Sequence, residues 1–225
     1  RKGFNKAGGD STLSNSNNTP TEYTRKNSNM SVEEYFNRGI ERLNSENYNG
    51  AISDFNNVIR ITPDFVSAYN NRGSSKDNLK DYYGAIRDYT KAIELDPNYV
   101  YAYYNRGNSK DNLKDYYGAI RDYTKAIELN PNYTSAYYNR GNSKDNLKDY
   151  YGAIRDYTKA IELNPNFTSA YLNRGISKDN LKDYYGAISD YTKAIELDPN
   201  KASAYYNRGI SKGNLKDYYG AISDY

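Results

Sequence analysis

A glycine set in a YYGAI or YNGAI segment falls at Gly50, Gly84, Gly118, Gly152, Gly186 and Gly220, a spacing of 34 residues held five times without a slip. Periods of this size belong to stacked supersecondary units, each of which buries its apolar face only against its neighbours. The chain therefore reads as one elongated array, and its 225 residues do not set a domain count in the ordinary way. The clearest copy of the unit runs from Thr134 to Phe167.

Two helices per unit follow from the apolar spacing. Tyr137, Arg140, Gly141 and Lys144 stand at i, i+3, i+4 and i+7, with Leu147 extending the stripe by three. Ala153, Ile154, Tyr157, Ala160 and Ile161 trace a second, more apolar face. Asp149 is placed to cap the second helix and Pro165 to follow its end, so each unit is an antiparallel hairpin of two helices of about a dozen residues. At the start of the array Ser31 and Glu34 form a capping-box pattern, with Met30 and Tyr35 placed as a hydrophobic staple.

Composition narrows the chemistry. The chain has no cysteine and no histidine, which removes disulfides, thiolate and imidazole metal ligands and the commonest nucleophile–base pairs. No cofactor or metal site is expected, and catalysis by residues 1–225 is not. Residues 1–30 carry five basic and two acidic side chains, which leaves 26 of each sign in the remainder. A balanced array lacks the basic excess of a non-specific nucleic-acid surface, so no nucleic-acid partner is expected. No apolar run approaches the length of a membrane span. With no signal or transmembrane segment visible, a cytoplasmic location is the favoured expectation. Residues 1–30 are rich in Asn, Ser, Thr and Gly and read as a disordered tail, with the array over 31–225. The chain stops at Tyr225, early in a second helix, which reads as a fragment whose last helix frays from Leu215 onward.

The phased residues Tyr137, Gly141, Ala153, Tyr157, Ala160 and Pro165 resemble the signature of the tetratricopeptide repeat, and six copies agree in register. The units would be 32–65, 66–99, 100–133, 134–167, 168–201 and a shortened 202–225. The RG-x-S-K and YYGAI wording is similar to a variant associated mainly with bacterial arrays. The resemblance implies an all-α fold, an alpha-solenoid of helix-turn-helix units wound as a right-handed superhelix, with first helices lining a concave groove.

Two departures recur. Arg38, Arg72, Arg106, Arg140, Arg174 and Arg208 replace the usual large aliphatic residue before the glycine; Arg42, Lys76, Lys110, Lys144, Lys178 and Lys212 replace the aromatic after it. Their stems are expected to cover apolar surface while their heads reach water or pair with acids such as Asp156, the alternative being an anion site of stacked Arg heads. The glycines Gly39 to Gly209 of the first helices are expected where helices approach closely, since an interior glycine costs about 1 kcal/mol relative to alanine. No role is evident for Gly152 and its equivalents.

The groove implied by the resemblance is lined by Asn37, Asn71, Asn105, Asn139, Asn173 and Asn207, one exposed amide per repeat, able to donate to and accept from the backbone of an extended segment. The alternative is that asparagine is simply tolerated there. Neighbouring candidates are Asn70, Tyr104, Tyr138, Leu172 and Tyr206, then Ser74, Asn108, Asn142, Ile176 and Ile210 one turn on, with an apolar anchor near Leu172, Ile176 and Ile210. Asp77, Asp111, Asp145 and Asp179 add an acidic edge. A carboxylate clamp is not expected, because the matching places hold Phe36, Asn70, Glu33, Ser67 and Tyr101. The expected role is a scaffold or adaptor for a protein or peptide partner. The alternatives are a regulatory or substrate-recruiting region of a larger enzyme and a structural spacer capable of self-association.

Overall fold

The computed structural model describes residues 30–225. The tail expected over 1–30 lies, apart from Met30, outside the described residues. Among these the secondary structure is helical throughout, in six hairpins. They comprise α1 (Val32–Asn44) and α2 (Tyr48–Ile61), α3 (Val66–Asn78) and α4 (Tyr82–Leu95), and α5 (Val100–Asn112) and α6 (Tyr116–Leu129). The second half holds α7 (Thr134–Asn146) and α8 (Tyr150–Leu163), α9 (Thr168–Asn180) and α10 (Tyr184–Leu197), and α11 (Ala202–Asn214) and α12 (Tyr218–Asp224).

Local chemistry sets the helix ends. Ser31 Oγ accepts from the Glu34 amide while the Glu34 carboxylate accepts from the Ser31 amide, the reciprocal box its spacing predicts. Met30 packs against the cluster that contains Tyr35. Within each unit the turn is compact. Lys148 adopts φ of 63°, its amide donates to the Asp145 carbonyl, and the Asp149 amide reaches back to the Lys144 carbonyl. This is a Schellman closure, in which a left-handed residue lets the chain satisfy the last carbonyls of α7. Leu147, expected to extend the helical stripe, caps α7 from just beyond its end. Asp149 then caps α8 by accepting from the Gly152 amide at 2.9 Å. That bond gives Gly152 its role: the Asp149 carboxylate fills the space in which a β-carbon would stand.

Packing explains the other glycine. A β-carbon on Gly141 would lie 2.7 Å from the Tyr157 ring, and the same approach recurs at Gly73, Gly107 and Gly175. Tyr89, Tyr123, Tyr157 and Tyr191 are buried against these bare stretches of backbone, as is Phe55 against Gly39. Alanines such as Ala136, Ala153, Ala160 and Ala170 are fully buried and bring the helices close on the remaining sides. The Arg140 guanidinium lies over the Tyr137 ring, its Cζ 5.5 Å from the centroid, and pairs with the buried Asp156 through Nε at 2.9 Å and Nη2 at 2.7 Å. Lys144 Nζ reaches the Oδ2 atom that Arg140 Nε also engages, at 2.7 Å. The Arg heads are thus held by acids of the second helix, and Arg140 also reaches Thr124 of the preceding repeat at 3.0 Å.

Each helix packs on its sequence neighbours, and the first helices of successive units also touch. Among the described residues no such contact joins successive second helices. First helices therefore form the inner wall of the curve and second helices the outer.

Candidate functional site

The inner wall is built from the polar positions of α3, α5, α7, α9 and α11, and the asparagines expected to stand exposed there are half-buried instead. At Asn105, Asn139 and Asn173 this burial accompanies bonds to the preceding repeat, while Asn37 on α1 is exposed as expected. The Asn139 amide nitrogen donates to Tyr104 Oη at 3.1 Å and to Asn108 Oδ1 at 2.9 Å. Asn173 does the same to Tyr138 Oη at 3.0 Å and Asn142 Oδ1 at 2.9 Å, and Asn105 donates to Asn70 Oδ1 at 3.1 Å. Asn70 is itself buried. The oxygens of Asn108 and Asn142 also accept from Tyr123 and Tyr157, each at 2.8 Å. Tyr104 and Tyr138 present edges more than faces, since their rings pack against Tyr133 and Phe167 at 4.8 and 4.7 Å.

The acidic edge differs from expectation as well. Asp77, Asp111, Asp145 and Asp179 are half-buried and each accepts from a buried serine of the following repeat: Ser109, Ser143, Ser177 and Ser211. Burial raises these carboxyls above their usual range, and the serine hydroxyls pull partly the other way. Burial also pushes up the hydroxyls of Tyr89, Tyr123, Tyr157 and Tyr191, with nearby carboxylates adding to the effect. These serines were not among the sequence candidates. Their signal was available: Ser143 stands seven residues after the buried Ala136, in phase with the packed face.

Two clefts open along this wall. One, of about 370 Å³, is lined by Asp111, Asn142, Asp145, Asn146, Tyr157, Asn173 and Ile176. The other, of about 360 Å³, sits one repeat earlier and is lined by Asp77, Asn108, Asp111, Asn112, Tyr123, Asn139 and Asn142. The structure thus brings together Asn108, Asn139, Asn142, Asn173 and Ile176 of the expected site. Tyr206 lies apart in a third depression with Ala202, Tyr205, Asp224 and Tyr225. Asn71, Asn105, Asn207 and Leu172 line none of the three. Among the described residues no three acidic side chains gather as a metal-binding group.

Residues 66–99, 100–133 and 134–167 each match the family model described as tetratricopeptide repeat, and 181–215 matches a second model described as TPR repeat. The chain belongs to the tetratricopeptide repeat family. No curated protein sequence matches it. Among solved structures, the crystal structure of MamA is 27% identical with a TM-score of 0.69, over 73% of this chain and 96% of that one. YrrB, described as a TPR protein with an unusual peptide-binding site, is 26% identical with a TM-score of 0.68, over 76% of this chain and 88% of its own. PilF of Pseudomonas aeruginosa shares the fold, at 19% identity and a TM-score of 0.74 over 86% and 88% of the two chains. The tetratricopeptide array and its solenoid architecture are therefore common ground with these proteins.

Proposed function

We propose that this tetratricopeptide array is a protein-interaction scaffold that holds an extended peptide or protein segment against its inner wall. The observation that carries the reading is the pair of clefts of about 370 and 360 Å³, one repeat apart and sharing Asn142 and Asp111, whose linings match position for position except that Ile176 stands in one where Asn142 stands in the other. A partner of another shape would have no use for that register. The peptide-binding description of YrrB supports the same class of partner.

The test is a selection of random displayed peptides on the immobilised chain, followed by affinity measurement on a variant with Asn112→Trp and Asn146→Trp. Both positions are exposed on the cleft rims, so the indoles obstruct the wall without entering the core. Selected peptides should lose at least about tenfold in affinity for that variant, at unchanged helical content. Equal binding to both proteins, or no enrichment at all, refutes the reading.

A further inference from the structure

The array carries two rows of aspartate, and only one of them is neutralised. Asp88, Asp122, Asp156 and Asp190 on the second helices are buried, and each is held by an arginine and a lysine of its own repeat. Those pairs spend the cations of the first helices. Lys76, Lys110, Lys144 and Lys178 all turn to the second helix, away from the aspartates that follow them in sequence. The inner-wall row Asp77, Asp111, Asp145 and Asp179 therefore stands without a cation among the described residues. Hydrogen bonding then separates three of its members from the fourth. The serine of the following repeat donates to Oδ1 of Asp77, Asp111 and Asp145, and no group among the described residues donates to their Oδ2 atoms. At Asp179, Ser211 reaches both oxygens and Tyr191 also donates to Oδ2. Among the described residues no buried side-chain oxygen lacks a partner, so the three open Oδ2 atoms are accessible. These three carboxylates are the ones that line the clefts, Asp77 and Asp111 in one, Asp111 and Asp145 in the other. Neither lining holds a lysine or an arginine.

We infer that each cleft receives a basic side chain of the partner, a lysine or an arginine, whose charged head binds the open oxygens of the two aspartates in its lining. The inference rests on the groove reading above and names the chemistry of its partner. Half-burial makes these charges costly in the free chain and raises their carboxyls, so an entering cation supplies the stabilisation that water gives only in part. Charge-assisted bonds to a carboxylate are also about twice as strong as neutral ones. The serine bond to Oδ1 holds each carboxylate in place, which leaves the second oxygen already oriented for a ligand. One wall differs between the clefts: Ile176 gives the second an apolar strip for the methylene stem of the entering residue, where the first has Asn142. Spacing sets the pattern of the partner. Successive first helices touch, which places them roughly 8–10 Å apart, and three residues of polyproline II chain advance about 9 Å and return to the same face. The ligand that fits is an extended segment with basic residues at i and i+3.

The experiment uses the chain 1–225 and the displayed peptides selected on it. Enriched sequences should carry Lys or Arg at i and i+3. A synthetic copy of one of them should bind at least about tenfold more weakly when either basic residue is replaced by norleucine, the worth of one charge-assisted bond. Asp111→Asn removes the carboxylate common to both clefts and should weaken binding at least about tenfold, while its amide oxygen still accepts from Ser143 and keeps the junction closed. Asp179→Asn takes the same charge from the same row outside both clefts and should change affinity less than about twofold. Circular dichroism should show unchanged helical content in both variants, and the norleucine peptides test the contact on the unaltered protein. Enrichment of peptides without the basic pair, a norleucine peptide that keeps its affinity, or equal losses for Asp111→Asn and Asp179→Asn overturns this assignment alone. Failure of any peptide to enrich, or binding that survives Asn112→Trp with Asn146→Trp, overturns the groove reading and this assignment with it.

Discussion

Asp156 is the residue on which the middle of the array depends most, and Asp156→Asn measures how much. The side chain is 5% exposed and its two oxygens hold Arg140 Nε, Arg140 Nη2 and Lys144 Nζ at 2.7–2.9 Å. Asparagine keeps the volume but replaces one acceptor with a donor, so two cations face a neutral amide that can serve only one of them. Breaking a buried pair from one side costs about 3–5 kcal/mol. Arg140 and Lys144 keep 15% and 18% side-chain exposure, enough to reach some water, which lowers the expectation to about 2–3 kcal/mol. A solenoid unfolds through its weakest unit, so the readout should be local. Native-state hydrogen exchange of α7 and α8 should accelerate roughly 30- to 150-fold, the equivalent of that free energy, with a smaller effect at α3 and α4. The triple change Arg140→Met, Lys144→Met and Asp156→Leu should cost less than the sum of the single changes, because it removes all three charges of the cluster together. Acceleration below about fivefold in Asp156→Asn, with additive single changes, would refute the claim that the ion cluster couples the two helices.

Two further outcomes follow from the turns and the acidic row. Lys148 holds φ of 63° and its side chain is exposed, so Lys148→Gly should stabilise the chain by about 0.5–1 kcal/mol, relief of left-handed strain outweighing the flexibility glycine adds to the unfolded chain. The same change at Lys80, Lys114 and Lys182 should add nearly independently; thermal unfolding that fails to rise would deny the strain. Burial raises Asp111 and Asp145 above the ordinary carboxylate value of 3.8, so the folded chain binds more protons than the unfolded one between that value and the raised one. Their contribution is present below 3.8 and is lost as pH rises through the raised value. Asp111→Asn with Asp145→Asn should therefore raise the melting temperature at pH near 7 relative to the parent, and the gap should close on acidification; a gap constant with pH excludes the mechanism.

The packed face was legible in the sequence because periodicity records burial. Tyr157, Ala153, Gly141 and the Asp149 cap occupy the places their spacing indicates, and Arg140 finds Asp156, the acid nearest in phase. The inner wall was less legible, since an asparagine at a solvent-facing helical position looks the same whether its amide is free or spent. The partners of Asn173 lie 35 and 31 residues upstream, beyond any window that reads one helix at a time. The Asp–Ser bonds between repeats escaped for the same reason. Gly152 and Lys148 were opaque for a different one: a capping carboxylate and a left-handed turn leave no mark in hydrophobic pattern.

The bonds between neighbours all run at fixed offsets: Arg to the preceding threonine, Asp to the following serine, Asn to the preceding tyrosine and asparagine. A whole unit such as 134–167 could therefore be duplicated or removed and every seam would still close, because each copy carries both halves of the junction. Adding such copies lengthens the wall without changing the chemistry of any junction. Copy number therefore sets the length of the wall in equal steps, so arrays differing only in repeat count would offer the same junction chemistry over different spans.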